Sequence, residues 1–65
     1  MELRNALKKE IIRMNTTNGI TPDWVIENIN KLIDRAIEIL EKNNADKGNP
    51  DNIYRAAFMA VDECF

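Results

Sequence analysis

Residues 21–40 read TPDWVIENINKLIDRAIEIL, and this stretch decides the fold. It opens with a Thr-Pro-Asp triplet, in which Thr can cap a helix, Pro is tolerated in its first turn, and Asp favours the positive end of the helix dipole. Apolar residues then recur at spacings of three and four as far as Leu40, which is the pattern of an amphipathic helix. This pattern predicts one continuous helix over about 22–43.

Two shorter helices flank the long one. Residues 2–14 place four apolar side chains on one helical stripe, which predicts a first helix there; they are Leu3, Leu7, Ile11 and Met14. An Asn-Pro-Asp triplet at 49–51 repeats the cap, proline and acid of the long helix, and it predicts a third helix over about 50–64. The chain therefore reads as one all-α domain over 1–65.

The apolar arc of the long helix is wide. At about 100° per residue, it spans roughly 160°, whereas a helix packed on one neighbour needs only about 100°. The arc consists of Ile26, Ile29, Leu32, Ile37, Ile39 and Leu40. We expect two neighbours, so the predicted fold is a small three-helix bundle, or a helical hairpin plus a third helix, with completion by a second copy left open. Because a core of this length is marginally stable alone, either a homodimer or an exchange between monomer and dimer is expected.

Composition limits the protein's surroundings. Hydrophobic residues form 45% of the chain and charged residues 31%, a mixture typical of folded globular domains. The longest apolar run is only a few residues, so no membrane span is expected. Cys64 is the single cysteine and permits no internal disulfide, which favours a reducing cytoplasm.

Catalytic chemistry finds no support in these residues. The chain has no histidine, and its two glycines stand alone, outside any phosphate-binding motif. Cys64 follows small residues at helical spacing, so it is predicted to be a buried, inert thiol. We expect no enzyme activity, no metal site and no cofactor.

Five acidic residues lie opposite the apolar arc of the long helix, within about 60° of one another. This acidic stripe consists of Asp23, Glu27, Asp34, Glu38 and Glu41. Lys31 and Lys42 are four residues after two of these acids, which favours a solvated face with ion pairs along the helix. The alternative is a docking strip for a basic partner.

Aromatic side chains are the other candidates for partner binding. Tyr54, Phe58 and Phe65 form one edge of the third helix, where they either complete the core or anchor an interface. Trp24 lies off the apolar arc of the long helix, where it either covers the end of the first helix or is exposed. Because Trp is the residue type most often found as an interface anchor, it ranks first among the predicted contacts.

The first helix is basic. Residues 1–13 carry a net charge of +2 and the rest of the chain −4. Its four cations could contact nucleic acid, although duplex DNA binding usually requires a denser basic face; they are Arg4, Lys8, Lys9 and Arg13.

These observations favour a non-enzymatic, regulatory interaction module, an adaptor or inhibitor that covers a surface of a larger protein. The expected partner is a protein of unspecified identity. The alternatives are an accessory protein that binds nucleic acid through the first helix, which the modest basic charge disfavours, and a purely structural homo-oligomer.

Overall fold

The computed structural model describes residues 2–64, and helices are the main elements of this part of the chain. Helix α1 spans Leu3–Asn15, α2 spans Asp23–Glu27, α3 spans Ile29–Lys42 and α4 spans Pro50–Glu63. The bounds of α1 and α4 agree within one residue with the first and third predicted helices. The predicted long helix is instead divided into α2 and α3.

The helices pack as a bundle in which α1, α3 and α4 all contact one another, and the short α2 contacts α1 and α3. The radius of gyration is 11.0 Å, close to the value of about 11 Å expected for a folded domain of this length. The all-α bundle predicted from the sequence is therefore confirmed. Both neighbours of α3 belong to the same chain and bury Leu32, Ile39 and Leu40 of the predicted arc, whereas Ile29 and Ile37 are partly buried and Ile26 is exposed.

The core combines large side chains from α1 and α3 with small ones from α4. Leu7 and Ile11 of α1 are completely buried, as the helical stripe predicted. The buried residues of α4 are three alanines and one valine: Ala56, Ala57, Ala60 and Val61. Because alanine adds little bulk, the backbone of α4 can lie close to its neighbours. Leu32, Ile33, Ala36, Ile39 and Leu40 are the buried residues of α3.

The division of the long helix occurs at Asn28. Its backbone has φ −107° and ψ 12°, and its Nδ2 donates a hydrogen bond of 2.8 Å to the carbonyl oxygen of Trp24. An asparagine amide bonded to the main chain in this way competes with regular helix geometry. The prediction of an unbroken helix over 22–43 was wrong because hydrophobic spacing does not register this competition.

The break changes which side chains of α2 face inward. A continuous helix placed Ile26 on the apolar arc and Trp24 off it. The structure has the opposite arrangement, with Ile26 52% exposed and Trp24 half-buried against the core. Val25, between them, is completely buried.

Three helices each end at an asparagine whose side chain makes the same kind of hydrogen bond. Asn15 and Asn43 resemble Asn28, since each side-chain amide donates to the carbonyl four residues earlier, at 2.7 and 2.8 Å. The carbonyls of Trp24 and Ile39 also accept from the backbone amides of Asn28 and Asn43, so the side-chain bonds are additional to the helical ones. Each of the three helices thus has an asparagine side chain bonded to its last turn.

The two proline-containing start signals behave differently. Asn49 caps α4 as predicted, because its Oδ1 accepts a 2.9 Å hydrogen bond from the amide of Asp51, with Pro50 in the first turn. The prediction that Thr21 caps the second helix was wrong. Its hydroxyl instead pairs with the hydroxyl of Thr16 at 2.7 Å, and α2 begins after Pro22 without a side-chain cap.

The connection between α1 and α2 contains a tight turn. Thr17 and Ile20 exchange two backbone hydrogen bonds of 3.0 Å each, and Asn18 and Gly19 between them have φ of 55° and 78°. Two successive residues with positive φ define a type I′ turn, for which Asn-Gly is the preferred pair. The turn leaves Ile20 71% exposed.

We expect Gly19→Ala to lower the free energy of unfolding by about 1 kcal/mol, because a side chain disfavours the left-handed backbone conformation. No atom lies within 4 Å of the added Cβ, so the cost is conformational and not a clash. Gly48→Ala is the matched control. Gly48 lacks a positive φ, and its replacement should be neutral or stabilising by up to about 1 kcal/mol. Urea denaturation of both variants measures the difference, and equal effects would contradict this account of the turn.

Candidate interaction surface

The outer face of α4 presents large apolar side chains to solvent. Tyr54, Phe58 and Met59 are 45%, 53% and 46% exposed; we call these three residues the aromatic face. The rings of Tyr54 and Phe58 lie with their centroids 6.4 Å apart and tilted by 31°, within the range of favourable aromatic pairs. Tyr54 and Phe58 therefore do not complete the core, and their role at an interface stays a prediction. The predicted third member, Phe65, lies outside the described residues.

A shallow groove adjoins the aromatic face where α4 meets the end of α1. It measures about 280 Å³ and is lined by Met14, Asn15, Tyr54, Phe58, Val61 and Asp62. Arg13, the residue before Met14 on α1, is exposed, and Asp62 is among the lining residues. The aromatic pair therefore forms one wall of a concave surface with charged groups nearby, which suits a side chain inserted from a partner.

The acidic stripe is exposed but divided and partly neutralised. Asp23 and Glu27 belong to α2, before the break at Asn28, and the other three acids belong to α3. Those three make ion pairs: Asp34 with Arg4 at 2.7 Å, Glu38 with Arg35 at 2.9 Å, and Glu41 with Lys47 at 3.5 Å. These partners differ from the lysines on the same helix that the spacing suggests. A continuous negative strip is therefore absent from the described surface.

The basic side chains of α1 are likewise partly engaged. Arg4 donates to Asp34 of α3. Arg13 donates two hydrogen bonds to Glu10, at 3.2 and 2.6 Å, and this carboxylate raises the pKa of the Arg13 guanidinium above its usual value. Lys8 and Lys9 remain exposed, without an ion pair in the part of the chain that the structure describes. The basic face available to a phosphate backbone is thus smaller than the sequence indicates.

Trp24 has a structural position. Its side chain is half-buried and packs against the core, and its carbonyl oxygen accepts from both the amide and the side chain of Asn28. Its role as a partner contact stays a prediction, and the structure shows only that the side chain is partly buried. The side chain covers the core at the end where α2 lies.

Sequence reasoning missed several exposed apolar residues. Ile20 follows the Asn-Gly turn, Ile26 precedes the break at Asn28, and Met59 extends the aromatic face. The Asn-Gly pair was the available signal for Ile20, since its turn type fixes the direction of the flanking residues.

A second groove, of about 710 Å³, lies between α1 and the start of α4, with Lys9 and Lys47 among its lining residues.

Cys64 corrects another prediction. It follows the last residue of α4 and is exposed. Of the residues that precede Cys64 at helical spacing, Ala57 and Ala60 are buried.

The described residues show no metal-ligating cluster of three or more acidic or thiol groups. Across residues 2–64, none of the helices has both the length and the apolar character needed to cross a membrane. Comparison with protein-family models, with curated proteins and with solved structures gives no match to this chain.

An ion pair holds the end of α4 to α3. Arg35 donates to both carboxylate oxygens of Glu63, at 2.6 and 3.0 Å. This bidentate geometry is the stronger form of such contacts. The hydrogen bonds lower the pKa of Glu63 and raise that of Arg35.

Because the pKa of Glu63 is lower in the folded state, the pair stabilises the protein above the ordinary glutamate value of about 4.3. The contribution is lost as the pH falls through the lowered folded-state value. We therefore expect Glu63→Gln to lower the melting temperature at pH 7, with the difference from the original protein shrinking in acid. Thermal melts between pH 7 and pH 3 measure this. Glu27→Gln, an exposed acid without an ion pair within residues 2–64, is the control, and identical pH profiles for both variants would contradict the prediction.

Proposed function

We propose that this protein is a non-enzymatic interaction module, an adaptor or inhibitor that acts by covering a surface of a larger protein. The observation that carries the proposal is the aromatic face of α4, where Tyr54, Phe58 and Met59 are each about half exposed on one helix. Tyr and Trp anchors typically dominate binding energy at interfaces, and exposed apolar side chains gain most when a partner removes them from water.

The side chains of this face suit docking because their ordering costs little. A Tyr or Phe has only two rotatable side-chain torsions, so a large contact area is immobilised at a small entropic cost. The contact between the Tyr54 and Phe58 rings reduces their freedom further before a partner arrives. The adjoining groove supports insertion of a partner side chain beside Phe58.

Charge has a secondary role in the proposal. Asp23 and Glu27 are exposed acids, and with Asp34, Glu38 and Glu41 they would raise the encounter rate with a basic partner. The last three already have cationic neighbours within the chain. We therefore assign the affinity to the aromatic face and the electrostatic steering to the stripe.

The nucleic-acid alternative has less support. Two of its four predicted contacts, Arg4 and Arg13, are bonded to acids of the same chain, and breaking those pairs would reduce the gain from phosphate contacts. A reducing cytoplasm remains the proposed location, because the single cysteine provides no internal disulfide.

We expect Phe58→Ala to weaken partner binding by about 2 kcal/mol or more, which is roughly 30-fold in Kd. The partner is first identified by affinity capture from the native host and mass spectrometry, and affinities are then measured by calorimetry. Ile26→Ala is the matched control, because Ile26 is 52% exposed and Phe58 53%. It should change affinity by less than about 0.5 kcal/mol.

Glu38→Gln tests the alternative that the acidic stripe carries the affinity. Its effect on the binding free energy should stay below about 1 kcal/mol, because exposed ion pairs contribute little. Thermal melts of every variant separate lost binding from lost folding. If Glu38→Gln proves more damaging than Phe58→Ala in folded proteins, the aromatic face is not the docking surface.

Cys64→Ala should leave biological activity unchanged, since the proposed mechanism is steric and uses no thiol. The exposure of Cys64 makes this a fair test, because a reagent or substrate could reach the sulfur. Activity is measured in the native host with variants expressed at equal levels. Loss of activity in a folded Cys64→Ala protein would point to thiol chemistry and overturn the non-enzymatic proposal.

A further inference from the structure

We infer that the aromatic face of α4 also docks on the same face of a second copy, with the two α4 helices antiparallel about a two-fold axis. The inference rests on the proposed function, because both require this face to bind protein. It adds a specific occupant, and a larger partner would then compete with the second copy for Phe58 and its neighbours.

Two charges beside the aromatic face suggest the second copy. Arg55 and Asp62 are exposed, and neither is ion-paired within residues 2–64. They are separated by two helical turns, about 10 Å along the axis, with Phe58 and Met59 between them. A cation and an anion placed symmetrically about an apolar centre form a self-complementary pattern.

The antiparallel direction follows from that pattern. A two-fold axis passing between Phe58 and Met59 would bring Arg55 of one copy opposite Asp62 of the other, and the contact would occur twice. Consecutive helix residues are about 100° apart, so Phe58 and Met59 lie on opposite flanks of the contact. The axis would therefore place Phe58 beside Phe58 of the second copy, and Met59 beside its Met59. A parallel pairing would instead place Arg55 of one copy opposite Arg55 of the other, and Asp62 opposite Asp62. Like charges in direct opposition are unfavourable, so the parallel arrangement is rejected.

The area of the face predicts a weak dimer. Aromatic side chains bury about 150–250 Å² each. At roughly half exposure, the three side chains would therefore contribute about 300 Å² per copy, or about 600 Å² in total. This is below the roughly 1,200 Å² at which stable interfaces begin. Monomer and dimer should consequently exchange, which leaves the face accessible to another partner.

The bundle does not need this contact for folding. Helices α1, α3 and α4 already pack against one another and bury Leu7, Ile11 and Leu32 within one chain. Variants of the exposed charges should thus remain folded as monomers, and this makes the charge pattern testable by itself.

The experiment is a charge exchange followed by sedimentation velocity from about 10 μM to 1 mM. The original protein should shift from its monomer mass of 7.5 kDa towards twice that mass. Arg55→Glu and Asp62→Lys should each remain monomeric, because each opposes like charges at both contacts. An equimolar mixture of the two variants should associate, since the introduced acid of one chain then meets the introduced lysine of the other. The chain carrying both substitutions should also associate.

Circular dichroism melts establish that each variant is folded. If Arg55→Glu or Asp62→Lys does not fold, the pair Arg55→Asp and Asp62→Arg is used in its place. A monomer mass for the original protein at 1 mM overturns the inference, as does a mixture that fails to associate. Self-association that survives Phe58→Ala also overturns it, because the contact then lies elsewhere. The proposed function is judged separately: it fails if Phe58→Ala leaves the affinity for the captured partner unchanged, whatever the mass of the protein.

Discussion

The close packing of α4 on its neighbours through alanine is the constraint on which the rest of the structure depends. Ala56, Ala57 and Ala60 are almost completely buried, and their small side chains allow the helix backbones to approach closely. That approach leaves no room for an aromatic ring on the inner face of α4. The large side chains of this helix, Tyr54 and Phe58, accordingly lie on the outer face, where the candidate interaction surface is found.

Asparagine placement is the second determinant of the architecture. Hydrophobic spacing alone supports an unbroken helix from Pro22 into the following loop, but the side chain of Asn28 bonds to a carbonyl one turn earlier and ends α2. On the α2 side of this break, Trp24 packs against the core and Ile26 is exposed, the reverse of what one continuous helix predicts.

Ion pairs between distant parts of the chain reduce the unpaired charge on the basic face and on the acidic stripe. Arg4 reaches Asp34, thirty positions later, and Arg35 reaches Glu63, twenty-eight positions later. Both contacts join helices that are neighbours only in the folded protein. The first removes a cation from the basic face of α1 and partly neutralises an acid of α3. The second engages Arg35, which is also the partner of Glu38. Neither charged surface therefore has the free charge that its composition suggests.

The sequence by itself determined the all-α class, the ends of α1 and α4, and the buried stripe of Leu7 and Ile11, because capping and helical periodicity are local properties. It also identified Tyr54 and Phe58 as candidates without deciding between core and surface. Only the tertiary structure decided that they are exposed, that Trp24 is not, and that Cys64 lies open to solvent. These outcomes depend on how closely the helices approach and where each one ends relative to its neighbours. Such distances arise from the packing of all the helices together, and the spacing of residues along one helix does not contain them.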